Sequence, residues 1–314
     1  MNKLYIILSF LFLSYSHLTA HNTNDATLRR LEVGASIGIK QMTPELMKYA
    51  KSVGISCLNV SLNQFFDKDG NFNLKDEQIT EIAQNAKKAA DDAGLQISAF
   101  HMPFGEHIDL ASINEAERER VVELHKKVFS LCRILNPRIV LFHPSWYLSL
   151  NQREEHISQM VKSAVELQKT IKAAGAIMVI ENMTGPQLNV TKGGVEYERP
   201  LCRSVDEMME IMKRLPSDIC GAVDMNHILN PEKLILALGS RLKFIHVSDG
   251  DGEHEFHYLP CSGKGMNDWN AILSALNHVG YTGPFMFECH YKDLKELAEC
   301  YNELYNKWVT QKKS

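Results

Sequence analysis

Two hydrophobic periods alternate along most of this chain. Short unbroken apolar runs are followed by longer stretches in which apolar residues recur every three or four positions. A short apolar run bounded by turn residues reads as a strand buried on both faces, and the longer pattern reads as an amphipathic helix. Runs at 31–38, 55–60, 95–101, 138–143, 176–181, 220–224, 242–246 and 284–288 predict eight strands. Helical patterns follow at 43–54, 75–93, 114–135, 154–174, 204–215, 231–238, 268–279 and 293–308. Their ends carry the expected punctuation. Thr43-Pro44-Glu45 supplies an N-cap, a proline at the first helical position and an acidic first turn. Gly54, Gly94 and Gly175 close helices, and Asn136-Pro137 stops another.

Strict strand–helix alternation argues for a parallel sheet. Eight such units in roughly 280 residues match the size of a (β/α)₈ barrel. A doubly wound open sheet is disfavoured because no GxGxxG follows the first strand. The expected fold is therefore α/β, a single-domain TIM barrel over 31–314. Residues 21–30 read as a linker and 1–20 as a signal peptide. Lys3 precedes an apolar stretch over 4–15, and Leu18-Thr19-Ala20 precedes the polar His21-Asn22-Thr23-Asn24. That stretch is short for a membrane span. The expectation is an exported protein, periplasmic or secreted, free of the membrane after cleavage.

Four of the apolar runs end on a residue able to bind a metal: Glu181, Asp224, His246 and Glu288. A carboxylate or imidazole is out of place at the end of a buried strand. In a barrel all strand ends of one polarity share a mouth, so these four converge. Three carboxylates crowded together repel unless a dication or protons intervene. Three carboxylates and one imidazole favour a hard or borderline ion, so one divalent ion is expected, Mn²⁺ first, with Mg²⁺, Co²⁺ or Zn²⁺ as alternatives. Further polar residues join the same mouth. His101 and His143 end the third and fourth strands. Asn182 follows Glu181, His227 lies three after Asp224, and His257 and Lys264 lie in the 248–265 loop. Trp146 and Tyr147 offer a stacking platform beyond His143.

Composition narrows the partners. The hydrophobic fraction of 45% and charged fraction of 23% are those of an ordinary globular chain, and the net charge of -4 is no nucleic-acid footprint. The seven cysteines are odd in number and form no CxxC pair, so no disulfide framework is expected. Cys202 and Cys261, in loops, are the expected reactive ones. A homo-oligomer stays open.

The segments Ile180-Glu181-Asn182, Asp224-Met225-Asn226-His227, the strand-end His246 and Phe287-Glu288 make the chain resemble the xylose-isomerase-like TIM-barrel superfamily. That group includes sugar isomerases, epimerases and the endonuclease IV branch. Similarity to ketose 3-epimerases implies that Glu181, Asp224, His246 and Glu288 bind the metal. It further implies that Glu181 and Glu288 form the acid/base pair and that His227 touches substrate oxygens. The stretch His257…Gly263-Lys264-Gly265 resembles a loop reading H-x-x-P-x-G-x-G, lengthened here by Cys261-Ser262. Endonuclease IV is matched more loosely. It uses metal-binding histidines at positions like His101, His143, His227 and His257, but its Asp-Arg-His triplet falls on Glu255-Phe256-His257.

The resemblance implies enediolate chemistry, proton abstraction next to a sugar's carbonyl, and the expected export together with the lack of an obvious phosphate-binding cradle points to a non-phosphorylated sugar or keto-sugar. A 3-keto-glycoside lyase or hydratase would use the same site. A non-catalytic sugar-binding barrel is the alternative of another class. The long loops 184–200 and 248–265 are lid candidates.

Overall fold

The structure, a computed structural model, describes residues 29–313. The expected signal peptide lies outside the described residues, as does most of the linker. Eight parallel strands close into a barrel: β1 (Val33–Gly38), β2 (Cys57–Ser61), β3 (Gln96–His101), β4 (Ile139–Phe142), β5 (Ile177–Glu181), β8 (Cys220–Asp224), β9 (Leu242–Val247) and β10 (Phe285–Phe287). Around the barrel their order is β1-β10-β9-β8-β5-β4-β3-β2. The surrounding helices are α1 (Pro44–Ser52), α2 (Asp76–Ala93), α3 (Glu115–Cys132), α4 (Arg153–Ala173), α5 (Val205–Arg214), α6 (Pro231–Leu238), α7 (Trp269–His278) and α8 (Leu294–Lys313). Among the described residues no helix is long and apolar enough to cross a membrane.

The strands separate two apolar cores. The larger one fills the layer between strands and helices, where residues such as Val60, Phe100, Phe142 and Ile245 are buried. The smaller one plugs the barrel interior with Cys57, Ala99, Ile139, Leu141, Val179, Cys220, Ala222, Phe244 and Met286. Side chains alternate along a strand with period two. Two residues beyond the plug, the same inward positions hold Asn59, His101, His143, Glu181, Asp224, His246 and Glu288. The interior is thus apolar at its closed end and polar at its C-terminal mouth. Gly34 belongs to the plug. A Cβ there would lie 2.5 Å from Met286 Cε, so the methionine occupies the room that glycine leaves.

Two expectations change. The stretch 184–200 contains an antiparallel hairpin, β6 (Asn189–Lys192) and β7 (Val195–Glu198). Its strands are short and exposed, so they lack the apolar run by which the other strands are recognised. Gly193 and Gly194, at φ 57° and 81°, make the tight turn. Reciprocal backbone hydrogen bonds of 2.9 and 3.0 Å between Leu148 and Glu198 clip the hairpin to the β4–α4 loop. The second change concerns cysteine. Cys261 forms a disulfide with Cys300 of α8, and Cys202 is fully buried with its thiol held well above the ordinary range by burial. Neither is the exposed reactive thiol expected from its loop position.

The crosslink closes a 39-residue segment and ties the loop after β9 to α8. Cys300→Ser is expected to lower unfolding free energy by about 2–4 kcal/mol. Urea unfolding with and without reductant checks this: reductant should destabilise the parent chain and leave the variant unchanged.

Candidate active site and metal centre

His246 is the centre of the mouth. Its Nδ1 lies 2.5 Å from Glu181 Oε1, 2.7 Å from Glu288 Oε2 and 4.0 Å from Asp224 Oδ2. One ligating atom from each of the four residues lies within 4.8 Å of every other. Strand register produces this cluster. Asp224 pairs with His246, and His246 pairs with Met286, two residues before Glu288 and facing the same way.

Burial sets the electrostatics. Glu181, Asp224 and His246 are fully buried, whereas Glu288 is half-buried. Burial raises the Glu181 carboxyl, but His246 and His143 outweigh it and hold it well below the usual range. Glu288 is likewise raised by burial, then brought down to about 2 by His246. Burial lowers the His246 imidazole, but Glu288 and Glu181 overcome this and hold it well above 6.5. Asp224 is raised, chiefly by burial. Asp224 Oδ2 is buried without a hydrogen-bond partner, and Glu181 Oε2 has only His143 Nε2, at 3.2 Å. A buried unpaired carboxylate oxygen is costly, and the cost is relieved by a cation within reach of both.

Four more histidines surround this group. His143 Nε2 and His101 Nε2 lie 3.2 and 3.8 Å from Glu181 Oε2. Burial lowers His101 to about 4, so it is neutral and free to ligate. On the other side, His227 Nε2 and His257 Nδ1 each lie 4.0 Å from Asp224 Oδ2. Metal-competent triplets therefore flank the central four: His101, His143 and Glu181 on one side, Asp224, His227 and His257 on the other.

Glu255 was not legible as a site residue in the sequence. Its Oε2 lies 3.0 Å from His227 Nε2 and 2.9 Å from His257 Nε2. Thr184 Oγ1 donates to its Oε1 at 2.7 Å. Burial lowers His257, but Asp224 and the hydrogen bond to Glu255 outweigh it and lift the ring to about 9. His227 is lowered by burial and raised, well above 6.5, by Asp224 and Glu255. Glu255 lies in a polar loop with no periodic pattern to mark it. Asn59 was also missed. It carries a signal, being the one polar residue within Cys57-Leu58-Asn59-Val60, and its Nδ2 lies 2.9 Å from His246 Nε2.

Above the cluster opens a cavity of about 300 Å³. His101, His143, His227, His257 and Glu288 line its floor, and Phe104, Trp146, Tyr147, Met183 and Lys192 line its wall. Phe104 stacks on His143 with ring centroids 4.2 Å apart. Lys192, on the hairpin, holds its ammonium 3.8 Å from the Tyr147 ring centre.

Two expected contact residues are placed otherwise. Lys264 is exposed, with its ammonium 5.6 Å from the Tyr258 ring, and does not line the cavity. Asn182 is fully buried, and its side chain is spent on the β8 backbone: Nδ2 donates to Asp224 O at 3.1 Å and Oδ1 accepts from Asp224 N at 2.8 Å. It aligns the ends of β5 and β8 instead of facing a ligand.

The model of the xylose isomerase-like TIM barrel family matches residues 47–305. The chain belongs to that family. Within it, an uncharacterized protein of Methanocaldococcus jannaschii is 22% identical over 75% of this chain and 84% of its own. A probable endonuclease 4 of Thermotoga maritima is 25% identical over 55% of this chain, and only 60% of the endonuclease is covered. Among solved structures, a D-tagatose 3-epimerase-like protein superposes with TM-score 0.69 at 18% identity, over 88% of this chain and 98% of that one. A 3-keto-D-glucoside 4-epimerase of E. coli gives TM-score 0.64 at 13% identity, over 90% and 100%. At such identities these likenesses speak for the xylose isomerase-like fold.

If Glu255 holds the proton on His257, Glu255→Gln lowers the His257 pKa in the metal-free protein by roughly one unit or more. NMR titration of the ring resonances reads this directly. An unmoved value near 9 would assign the proton to Asp224 alone.

Proposed function

We propose that this protein is a divalent-metal-dependent sugar isomerase or epimerase. It acts by proton abstraction next to a carbonyl on a non-phosphorylated sugar or keto-sugar. The observation that carries the proposal is the convergence of Glu181, Asp224, His246 and Glu288, with the buried Asp224 Oδ2 left unpartnered. Three oxygen donors and one nitrogen donor suit a hard or borderline dication, Mn²⁺ first. A dication held there supplies Lewis-acid polarisation of the substrate's carbonyl and adjacent hydroxyl oxygens.

The chain's own groups then have distinct tasks. Glu181 and Glu288 come from strands three apart in the barrel order, so they approach the mouth from different sides. Both are ionised at neutral pH and ready to accept a proton. One removes the proton beside the carbonyl, and the other returns it to the opposite face. His227 is held protonated and donates toward the negative charge that develops on oxygen. Asp224 orients the ion and the flanking His227 and His257.

The cavity wall supports an unphosphorylated substrate. Among the described residues that line it, Lys192 is the one lysine or arginine, and it is exposed. Solved structures similar in fold include a D-tagatose 3-epimerase-like protein, a 3-keto-D-glucoside 4-epimerase and an L-ribulose 3-epimerase, which favours this chemistry over a binding-only barrel. The net charge of -4 favours a small sugar over nucleic acid. The Cys261–Cys300 disulfide supports export to an oxidising compartment, as the N-terminal pattern implies.

A second reading, a 3-keto-glycoside lyase or hydratase, is favoured by the aromatic wall. Phe104, Trp146 and Tyr147 give a sugar's substituent an apolar surface beyond the reacting carbons. Both readings begin with the same proton abstraction and diverge in where the leaving group lies.

Incubation of metal-loaded protein with free ketoses and 3-keto-glucosides in D₂O, followed by NMR, tests the proposal. Solvent deuterium is expected at the carbon beside the carbonyl, and released aglycone would select the lyase. Glu288→Gln is expected to cut turnover by roughly 10²-fold or more. Near-parental turnover of a metal-loaded variant would end its assignment as a proton carrier.

A further inference from the structure

A histidine ligand has two ring nitrogens, and the partner of the distal one decides which of them carries the proton. His246 presents Nδ1 to Glu181, Glu288 and Asp224. Its Nε2 points the other way, into the barrel, where the Asn59 amide lies 2.9 Å from it. Asn59 is fully buried on β2, inward-facing, and its Nδ2 also donates to Ser36 Oγ of β1 at 3.0 Å. Its Oδ1 is buried without a partner.

That orientation serves only a neutral ring with its proton on Nδ1, the amide donating to Nε2; the imidazolium of the metal-free chain, like the Nε2-protonated neutral ring, carries a hydrogen on Nε2 and needs an acceptor beside it. A ring protonated at Nδ1 cannot ligate through that atom, because the lone pair is used. For Nδ1 to ligate, the proton must sit on Nε2, and the atom beside it must accept. A half-turn of the amide brings Oδ1 to that position, where it accepts from His246 Nε2–H. The Ser36 hydroxyl donates as readily as it accepts, so the link to β1 survives. The half-turn gives Oδ1 two donors and moves Nδ2 into the unpartnered position. Which amide atom faces the ring is thus settled by the proton on His246.

We propose that Asn59 is a positioning residue for the metal centre: its amide oxygen fixes the Nε2-protonated tautomer of His246 and so frees Nδ1 to bind the ion. This rests on the metal site proposed above. Asn59 touches neither the ion nor the cavity, and it acts only through the imidazole. Its place in the sequence fits the role. β2 contributes no ligand, and its buried, inward Asn59 reaches the back of a ligand on β9.

Replacement by leucine removes both donor and acceptor at nearly constant size, while aspartate keeps only the acceptor. Mn²⁺ affinity of the metal-free protein is measured by chelator competition for the parent, Asn59→Leu and Asn59→Asp. Circular dichroism of the metal-free variants confirms their folding. Asn59→Leu is expected to bind Mn²⁺ about 10–100-fold more weakly. Asn59→Asp is expected to bind within about tenfold of the parent, or more tightly. In Zn²⁺-loaded protein, ¹⁵N NMR should show His246 protonated at Nε2. Parental affinity in Asn59→Leu would overturn the proposal. So would Asn59→Asp as weak as Asn59→Leu, which would make the amide a donor. A parent without Mn²⁺ affinity would instead overturn the metal reading itself.

Discussion

The constraint on which this structure turns is the burial of negative charge. Three carboxylates stand at one end of a closed barrel, and two of them are fully buried. Such a group is intolerable in a low-dielectric interior without positive charge to balance it. The metal-free chain answers with imidazolium: His246 is held protonated among Glu181, Glu288 and Asp224, and His227 and His257 stand beside Asp224 and Glu255. In the metal reading proposed above, a dication takes the place of the His246 proton among the same three carboxylates, while His227 and His257 keep theirs. One arrangement would then serve both states.

The barrel makes this arrangement affordable. Its closed end is packed with apolar side chains from Ala99 to Phe244, and these inward positions continue directly into the polar ones. Each functional side chain thus sits two residues beyond a packed neighbour on its own strand. Strand register, more than any loop, fixes the distances around His246. The loops supply the rest of the mouth: Glu255 and His257 from the β9–α7 loop, Trp146 and Tyr147 from the β4–α4 loop, and Lys192 from the hairpin. The disulfide from Cys261 to α8 anchors the first of these, four residues beyond His257.

Much of this was readable in the sequence because strands buried on both faces are continuously apolar, which makes a terminal Glu, Asp or His stand out. The eight strands, the eight helices and the four central residues all follow from that contrast. The contrast also explains what escaped notice. The hairpin strands are exposed and polar, so they resemble a loop. Glu255 lies in a loop with no periodic pattern, and two of its three partners, His227 and Thr184, come from other segments of the chain. Asn59 interrupted an apolar run, but it lies inside the strand and not at its end, where an asparagine reads as tolerated polarity. The Cys261–Cys300 pair depends on where α8 packs, which no cysteine spacing reveals. Lys264 lies outside the cavity, its ammonium over the Tyr258 ring, a placement that its position in a polar loop does not reveal.

The central claim is that Glu181, Asp224, His246 and Glu288 form a single dication site. Anomalous X-ray scattering from crystals soaked in Mn²⁺ tests it without reference to any substrate. The account predicts a strong anomalous peak enclosed by one carboxylate oxygen from each acid and by His246 Nδ1. Crystals that diffract well and show no peak among these four side chains, or a peak only at other groups, would contradict it.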